Sequence, residues 1–210
     1  MAHVLHIQAS PRGDESFSIR VARAFLEAYR ESHPGDTVET LDLVARPPVE
    51  FRGEAAGAKM RALTGQAPTA TQTSAWNQVL QTIRHFKKAD KFVLSSPMWN
   101  FSIPYHLKHY LDVIVQPRET FRYTETGRVE GLMTGRPCLL VLARGGRYGP
   151  GTGGETMDHQ WPYLKQILGF IGLARIETIF VEPTAAEGPD VARKVLEAAV
   201  AEARRLAPAF

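Results

Sequence analysis

Lys91-Phe92-Val93-Leu94-Ser95-Ser96-Pro97-Met98-Trp99-Asn100-Phe101-Ser102-Ile103-Pro104 joins a short apolar run to an aromatic segment bracketed by prolines. The run predicts a strand over Lys91 to Ser95. Leu107, Tyr110, Leu111 and Ile114 predict a helix that begins at Pro104. A strand therefore empties into a restricted loop and then a helix, the repeating unit of a parallel α/β sheet. In such sheets ligands sit beyond the carboxyl ends of the strands. Pro97 and Pro104 restrict the backbone, Met98, Trp99 and Phe101 offer apolar area to a planar heterocycle, and Asn100 can donate and accept hydrogen bonds. The alternative for this loop alone is an ordinary surface turn with exposed aromatics.

Toward the amino terminus, His3 to Ala9 reads as a strand, Ser18 to Ser32 as an amphipathic helix and Thr37 to Leu43 as an alternating strand. Val44 to Thr73, with Pro47-Pro48, predicts a long excursion holding a short helix near Ala55 to Leu63. Trp76, Val79, Leu80, Ile83 and Phe86 mark the helix that leads into the Lys91 strand. Toward the carboxyl terminus, Gln116 to Gly135 reads as irregular, and Pro137 to Ala143 as a strand covered on both faces. A helix over Gln160 to Ile171, a strand over Arg175 to Val181 and a helix over Pro189 to Leu206 complete the chain. Five strands alternating with helices predict a single flavodoxin-like α/β domain over 1-210. It is a three-layer sandwich with a five-stranded parallel sheet in the order 2-1-3-4-5.

With 210 residues, 44% of them hydrophobic, the chain can bury a substantial core. It starts without a basic, then apolar, targeting pattern, and no apolar run approaches the roughly 20 residues that cross a bilayer. A cytoplasmic protein without membrane attachment is expected. Cys138 cannot form an internal disulfide and sits in an apolar run, so a buried strand position is expected for it. The net charge of +3 arises from 25 basic and 22 acidic residues dispersed along the chain, which argues against nucleic acid as a partner.

The first predicted strand ends in Ser10-Pro11-Arg12-Gly13-Asp14-Glu15-Ser16-Phe17-Ser18, just before a helix. Free amides, the helix dipole and three hydroxyls suit a phosphate there, provided Asp14 and Glu15 point outward; the alternative is that Ser16 or Ser18 only caps the helix. Gly149-Pro150-Gly151-Thr152-Gly153-Gly154 matches Gly-x-Gly-x-x-Gly, but the strand before it ends near Ala143 and too few strands follow to complete a dinucleotide-binding half. Ala143-Arg144-Gly145-Gly146 is the more informative segment, because paired glycines let a backbone approach a flat ligand and donate its amides. His106 and His109 lack further metal ligands and read as surface histidines, and no nucleophile motif occurs.

These three loops, with Thr120-Phe121-Arg122-Tyr123-Thr124-Glu125-Thr126-Gly127, Glu130 to Gly135 and Leu168 to Gly172, resemble the FMN-dependent NADH:quinone oxidoreductases, also called FMN-dependent NADH-azoreductases. The resemblance spans nearly the whole chain. It implies that Ser10, Ser16, Phe17 and Ser18 hold the FMN phosphate and ribityl end. By the same resemblance, Met98, Trp99, Asn100 and Phe101 hold the isoalloxazine, and Ala143, Arg144, Gly145 and Gly146 border its polar edge. Two positions depart from the family pattern: Ala143 stands where serine is common, and Trp99 where tyrosine is common.

The resemblance further implies alternating use of one site by NADH or NADPH and by a quinone or azo acceptor, in a ping-pong scheme in which the flavin carries the chemistry and no catalytic side chain is required. Phe121 and Tyr123, with Trp99, are expected either as apolar walls of the substrate pocket or, for the first two, as packing of the irregular segment. A homodimer with the active site beside the subunit boundary is also implied. Two other classes stand beside this reading: a flavodoxin-like electron carrier without its own substrate, and a flavin-free dinucleotide-binding dehydrogenase.

Overall fold

The computed structural model describes residues 1–173 and 175–210. Its main elements, in chain order, are β1 His3–Gln8, α1 Phe17–Ser32, β2 Thr37–Asp42, α2 Gly53–Leu63, α3 Ala70–Lys87, β3 Lys91–Pro97, α4 Tyr105–Ile114, β4 Phe121–Tyr123, β5 Val129–Gly131, β6 Cys138–Ala143, α5 Trp161–Phe170, β7 Ile176–Val181 and α6 Pro189–Leu206. A five-stranded sheet, parallel at every pairing, has the order β2-β1-β3-β6-β7. This is the expected 2-1-3-4-5 pattern, renumbered because β4 and β5 intervene as a separate antiparallel hairpin.

Strand residues alternate between two apolar clusters, as a pleated backbone requires. Val4, Val93, Leu139, Val141 and Ile179 pack with α1 and α6 through Phe25, Leu26 and Leu196. Leu5, Phe92, Leu94, Leu140 and Leu142 pack with α4 and α5 through Leu107, Leu111, Leu164 and Leu168. All six residues of β6 are buried, the central position expected of a continuous apolar run. Cys138 opens that strand, and burial pushes its thiol up to about 12.

Two segments differ from the sequence reading. The Thr69 hydroxyl accepts from the Gln72 amide at 3.2 Å, and Gln72 Oε1 accepts from the Thr69 amide at 3.0 Å. This capping box starts α3 at Ala70, well before Trp76, with a polar first turn that carries no apolar periodicity. The irregular stretch from Gln116 to Gly135 contains the β4–β5 hairpin, turned by Gly127 at φ 76°. Gly131 packs directly on the backbone of Ile171 and Gly172 just beyond α5. Among the described residues, no helix is long and apolar enough to cross a membrane.

Candidate functional site

From β1 the chain turns to β2 on one side of the sheet, and the later strands β3, β6 and β7 lie on the other. The crevice between β1 and β3 is therefore the switch point of the sheet, where connections diverge and leave room for a ligand. Loops 10–16, 98–104 and 144–148 leave the carboxyl ends of β1, β3 and β6, three adjacent strands.

After β1, a short turn of 3₁₀ helix, Gly13–Glu15, feeds α1. Asp14 turns outward to Arg23 and Glu15 to Arg12, which meets the condition set for an anion site. Ser16 occupies the N-cap position of α1, yet its side chain makes no capping hydrogen bond. Its hydroxyl instead meets that of Ser18 at 3.2 Å, and Ser10, Ser16 and Ser18 are all buried. Among the described residues, the amides of Phe17, Ser18 and Ile19 have no acceptor. An uncapped helix start beside three hydroxyls, at the positive end of the helix dipole, suits an anion.

After β3, the Trp99 and Ser102 backbones exchange hydrogen bonds at 2.8 and 2.9 Å around Asn100 and Phe101, which have φ of 45° and 68°. Positive φ at both central residues is the two-residue hairpin geometry normally given to Asn-Gly, and a phenylalanine there is strained. The turn is latched by the His159 amide, which donates to the Phe101 carbonyl at 2.9 Å, and by an edge contact between Phe101 and Tyr148. His106 corrects the surface expectation. It is buried, its Nε2–H donates to the Ala9 carbonyl at 2.9 Å, and Trp99 lies edge-on to its ring. The first turn of α4 thus ties the end of β1 to the aromatic turn. Among the described residues no group of acidic, His or Cys side chains could hold a metal.

After β6, Ala143 is buried among Val141 and Val181, and the Arg144 side chain is buried as well. Its guanidinium meets Asp158 at 2.8 Å, Glu182 at 3.2 Å and Gln160 at 3.1 Å. The backbone at Gly145 and Gly146 remains at the strand end, and neither amide has an acceptor among the described residues. The Gly149-to-Gly154 segment is closed on itself. The amides of Glu155 itself and Gly151, then those of Thr152 and Gly153, hold the Glu155 carboxyl below its usual range, filling the nest that a phosphate would need.

Trp99, Asn100, Tyr105, Lys108 and Tyr163 line a groove of ≈ 440 Å³ beside the turn. A cleft of ≈ 550 Å³ between Glu31 and Arg204 lies at the far ends of α1 and α6, opposite these loops, so volume alone does not select the site. Phe121 and Tyr123 are not brought to Trp99. Their hairpin is fastened at the carboxyl ends of α4 and α5, where Thr120 Oγ1 donates to the Ile114 carbonyl and the Met133 amide to that of Ile171. Along α4 about 9 Å separate that point from Lys108, the near side of the groove. Phe121 is buried against Phe170 and Tyr123 is exposed. Tyr105, Lys108 and Tyr163 were missed by sequence reasoning. The first two follow Pro104 at helical spacing, a signal that was available; Tyr163 reaches the groove only through the tertiary placement of α5.

A family model described as a flavodoxin-like fold matches residues 2–207. Over 210 residues, all of both chains, the sequence is 47% identical to the FMN-dependent NADH:quinone oxidoreductase of Nitratidesulfovibrio vulgaris (strain DP4). The chain belongs to the FMN-dependent NADH:quinone oxidoreductase family. A family member from Desulfotalea psychrophila is 42% identical over 207 residues, covering 99% of this chain and 97% of the relative. Among solved structures, azoreductase from Bacillus anthracis str. Sterne superposes with a TM-score of 0.89 at 31% identity, with both chains fully covered. The FMN-dependent NADH-azoreductase from Bacillus anthracis str. Ames Ancestor, solved in complex with FMN, gives 0.88 at 32% identity and covers 99% and 98%.

Proposed function

We propose that this chain is an FMN-dependent NADH:quinone oxidoreductase, active also on aromatic azo compounds. One observation carries the reading: an uncapped helix start beside three buried hydroxyls at α1 stands one strand away from a strained aromatic turn and two strands from a pair of glycine amides without an acceptor among the described residues. FMN has an anion at one end and a flat, hydrogen-bonding ring at the other, so these residues fit it. Ser10, Ser16, Ser18 and the first amides of α1 would hold the phosphate. Met98 to Phe101 would hold the ring, and Gly145 and Gly146 its polar edge.

When bound, FMN supplies two-electron chemistry, taking hydride from a nicotinamide and delivering two electrons to a quinone or azo acceptor in ping-pong alternation. The protein's own work is positioning and exclusion of water. Trp99, Tyr105 and Tyr163 wall the groove in which donor and acceptor would stack in turn. Lys108 lines the groove with its ammonium held by both Asp112 oxygens, hydrogen bonds that raise its pKa. No side chain is needed as a catalytic acid or base.

Residues 1-210 act in this reading as one flavodoxin-like domain, and the apolar clusters on both sheet faces support a three-layer arrangement. Trp99, Phe101 and Tyr105 are exposed at the site, and Tyr123 on the hairpin, which supports a homodimer in which a second copy's hairpin lines the groove. The lone, reduced Cys138 suits the cytoplasm.

Absorbance spectra of the purified protein with FMN, before and after anaerobic NADH and then after a quinone, test the proposal. The flavin band is expected to bleach with NADH and return with quinone, with steady quinone-dependent NADH oxidation. Protein that takes up no FMN overturns the reading, and bound flavin without turnover returns it to an electron carrier.

A further inference from the structure

Arg144 is the largest fully buried side chain among the described residues, and it stands in the loop whose next two residues have acceptor-free amides. A guanidinium in that setting requires compensation on every side. Nη2 donates to Asp158 Oδ2 at 2.8 Å, Nη1 to Glu182 Oε2 at 3.2 Å and Nε to Gln160 Oε1 at 3.1 Å. The Phe180 ring lies 4.2 Å from the guanidinium carbon. Each partner holds a different segment. Asp158 Oδ1 accepts from the amides of Gln160 and Trp161 at the start of α5, and Glu182 Oε2 also accepts from the Tyr148 amide at 3.2 Å. The Arg144 carbonyl accepts from the Thr184 amide and hydroxyl, and the Gly145 carbonyl from the amides of Ala185 and Ala186. Gly145 and Gly146 are thus suspended between Arg144 and Tyr148, and both ends of the span are fastened to Glu182.

We infer that Arg144 is a positioning residue for flavin recognition: its planar, three-way fork fixes the Gly145-Gly146 span so that its free amides meet the ring edge of the cofactor. The inference rests on the proposed FMN site and goes beyond it. Arg144 reaches the cofactor through the backbone, not by contact. A lysine keeps the charge but makes point contacts in place of the fork. Of the five amide and hydroxyl bonds around the span, that of the Tyr148 amide shares its acceptor, Glu182, with the fork, and none involves the phosphate cradle.

The experiment titrates apo-protein with FMN and, separately, with riboflavin, which has the ring without the phosphate, following flavin fluorescence; apo thermal melting is recorded alongside. R144K is expected to weaken both ligands by the same factor, about tenfold, leaving the ratio of their affinities at the wild-type value. Ser16→Ala, the phosphate-end control, should weaken FMN alone. Glu182→Ala, which removes the acceptor shared by Arg144 and the Tyr148 amide, carries the same expectation if R144K does not fold. Wild-type affinity for both ligands in both variants overturns the inference. So does a loss confined to FMN, or a loss of both that collapses the affinity ratio in step with the melting temperature. Wild-type protein that binds neither ligand refutes the FMN site itself, a separate and recognisable result.

Discussion

The amide of Met98 donates to the carbonyl of Ala143 at 2.8 Å, one step beyond the paired strands β3 and β6. This bond joins the aromatic turn to the glycine span, so the two walls of the proposed ring site are not independent loops but one hydrogen-bonded rim. A second tie, from the His106 ring to the Ala9 carbonyl, extends the rim to the end of β1. These bonds lie within the fold itself and fix the shape of the rim, which lowers the ordering cost of binding.

Ser16→Ala should weaken FMN by about tenfold or more, because a hydrogen bond to a charged group contributes about 1.5–3 kcal/mol. Stability should change by less than about 1 kcal/mol, since the Ser16 side chain does not cap α1. Fluorescence titration and urea unfolding read the two quantities separately. An FMN affinity equal to wild type would remove Ser16 from the cradle.

Asn100 sits at φ 45°, where glycine is relaxed and alanine is not. Asn100→Gly and Asn100→Ala both delete the carboxamide, so both should lose FMN affinity. The alanine variant should also be less stable than the glycine variant by about 1 kcal/mol. Equal stability of the two would show that the turn relaxes.

Acid should destabilise the fold through His6. Burial, then the charges of Arg30 and Arg23, push this imidazole down to about 4 against an opposing effect of Asp42, while its Nε2 meets Ser95 Oγ at 2.9 Å. The unfolded chain titrates near 6.5, so it binds the proton first as pH falls. Stability is complete above pH 6.5 and declines toward pH 4, by about 3 kcal/mol for this one group. His6→Gln should flatten that decline in urea unfolding compared at about pH 7.5 and about pH 4.5. An unchanged slope would assign the acid sensitivity elsewhere.

A methyl group on Gly131 would fall on the backbone of Ile171 and Gly172, which has no means of yielding as a side chain does. Gly131→Ala should therefore cost about 1–3 kcal/mol by displacing the hairpin. In the monomer FMN affinity should stay within about twofold of wild type, because within one chain the hairpin lies at the opposite end of α4 and α5 from the flavin loops. A loss of FMN seen only in the dimer would mean that the hairpin lines the site of a second copy, and a large loss in the monomer that it supports the site within the same chain.

Sequence alone determined the elements whose signal is local. Apolar runs such as Cys138 to Ala143 named the central strands, the periodicity of Pro189 to Leu206 named the last helix, and alternation of the two favoured a parallel sheet, whose order 2-1-3-4-5 was chosen over a dinucleotide-type sheet. Proline, glycine and serine at three strand ends marked the loops that now share one rim, because such residues restrict or free the backbone wherever they occur. Tertiary structure decided where side chains go. The carboxylate partners of Arg144 lie 14 and 38 residues away, and only the folded sheet brings them to its guanidinium. His106 is buried because its acceptor, the Ala9 carbonyl, lies 97 residues distant in the chain. Phe121 and Tyr123 lie away from Trp99 within one chain because their hairpin docks on Gly172, a contact between two backbones that no side-chain pattern encodes. Local preference is written into neighbouring residues, whereas the pairing of buried charges and close-packed backbones exists only once distant segments meet.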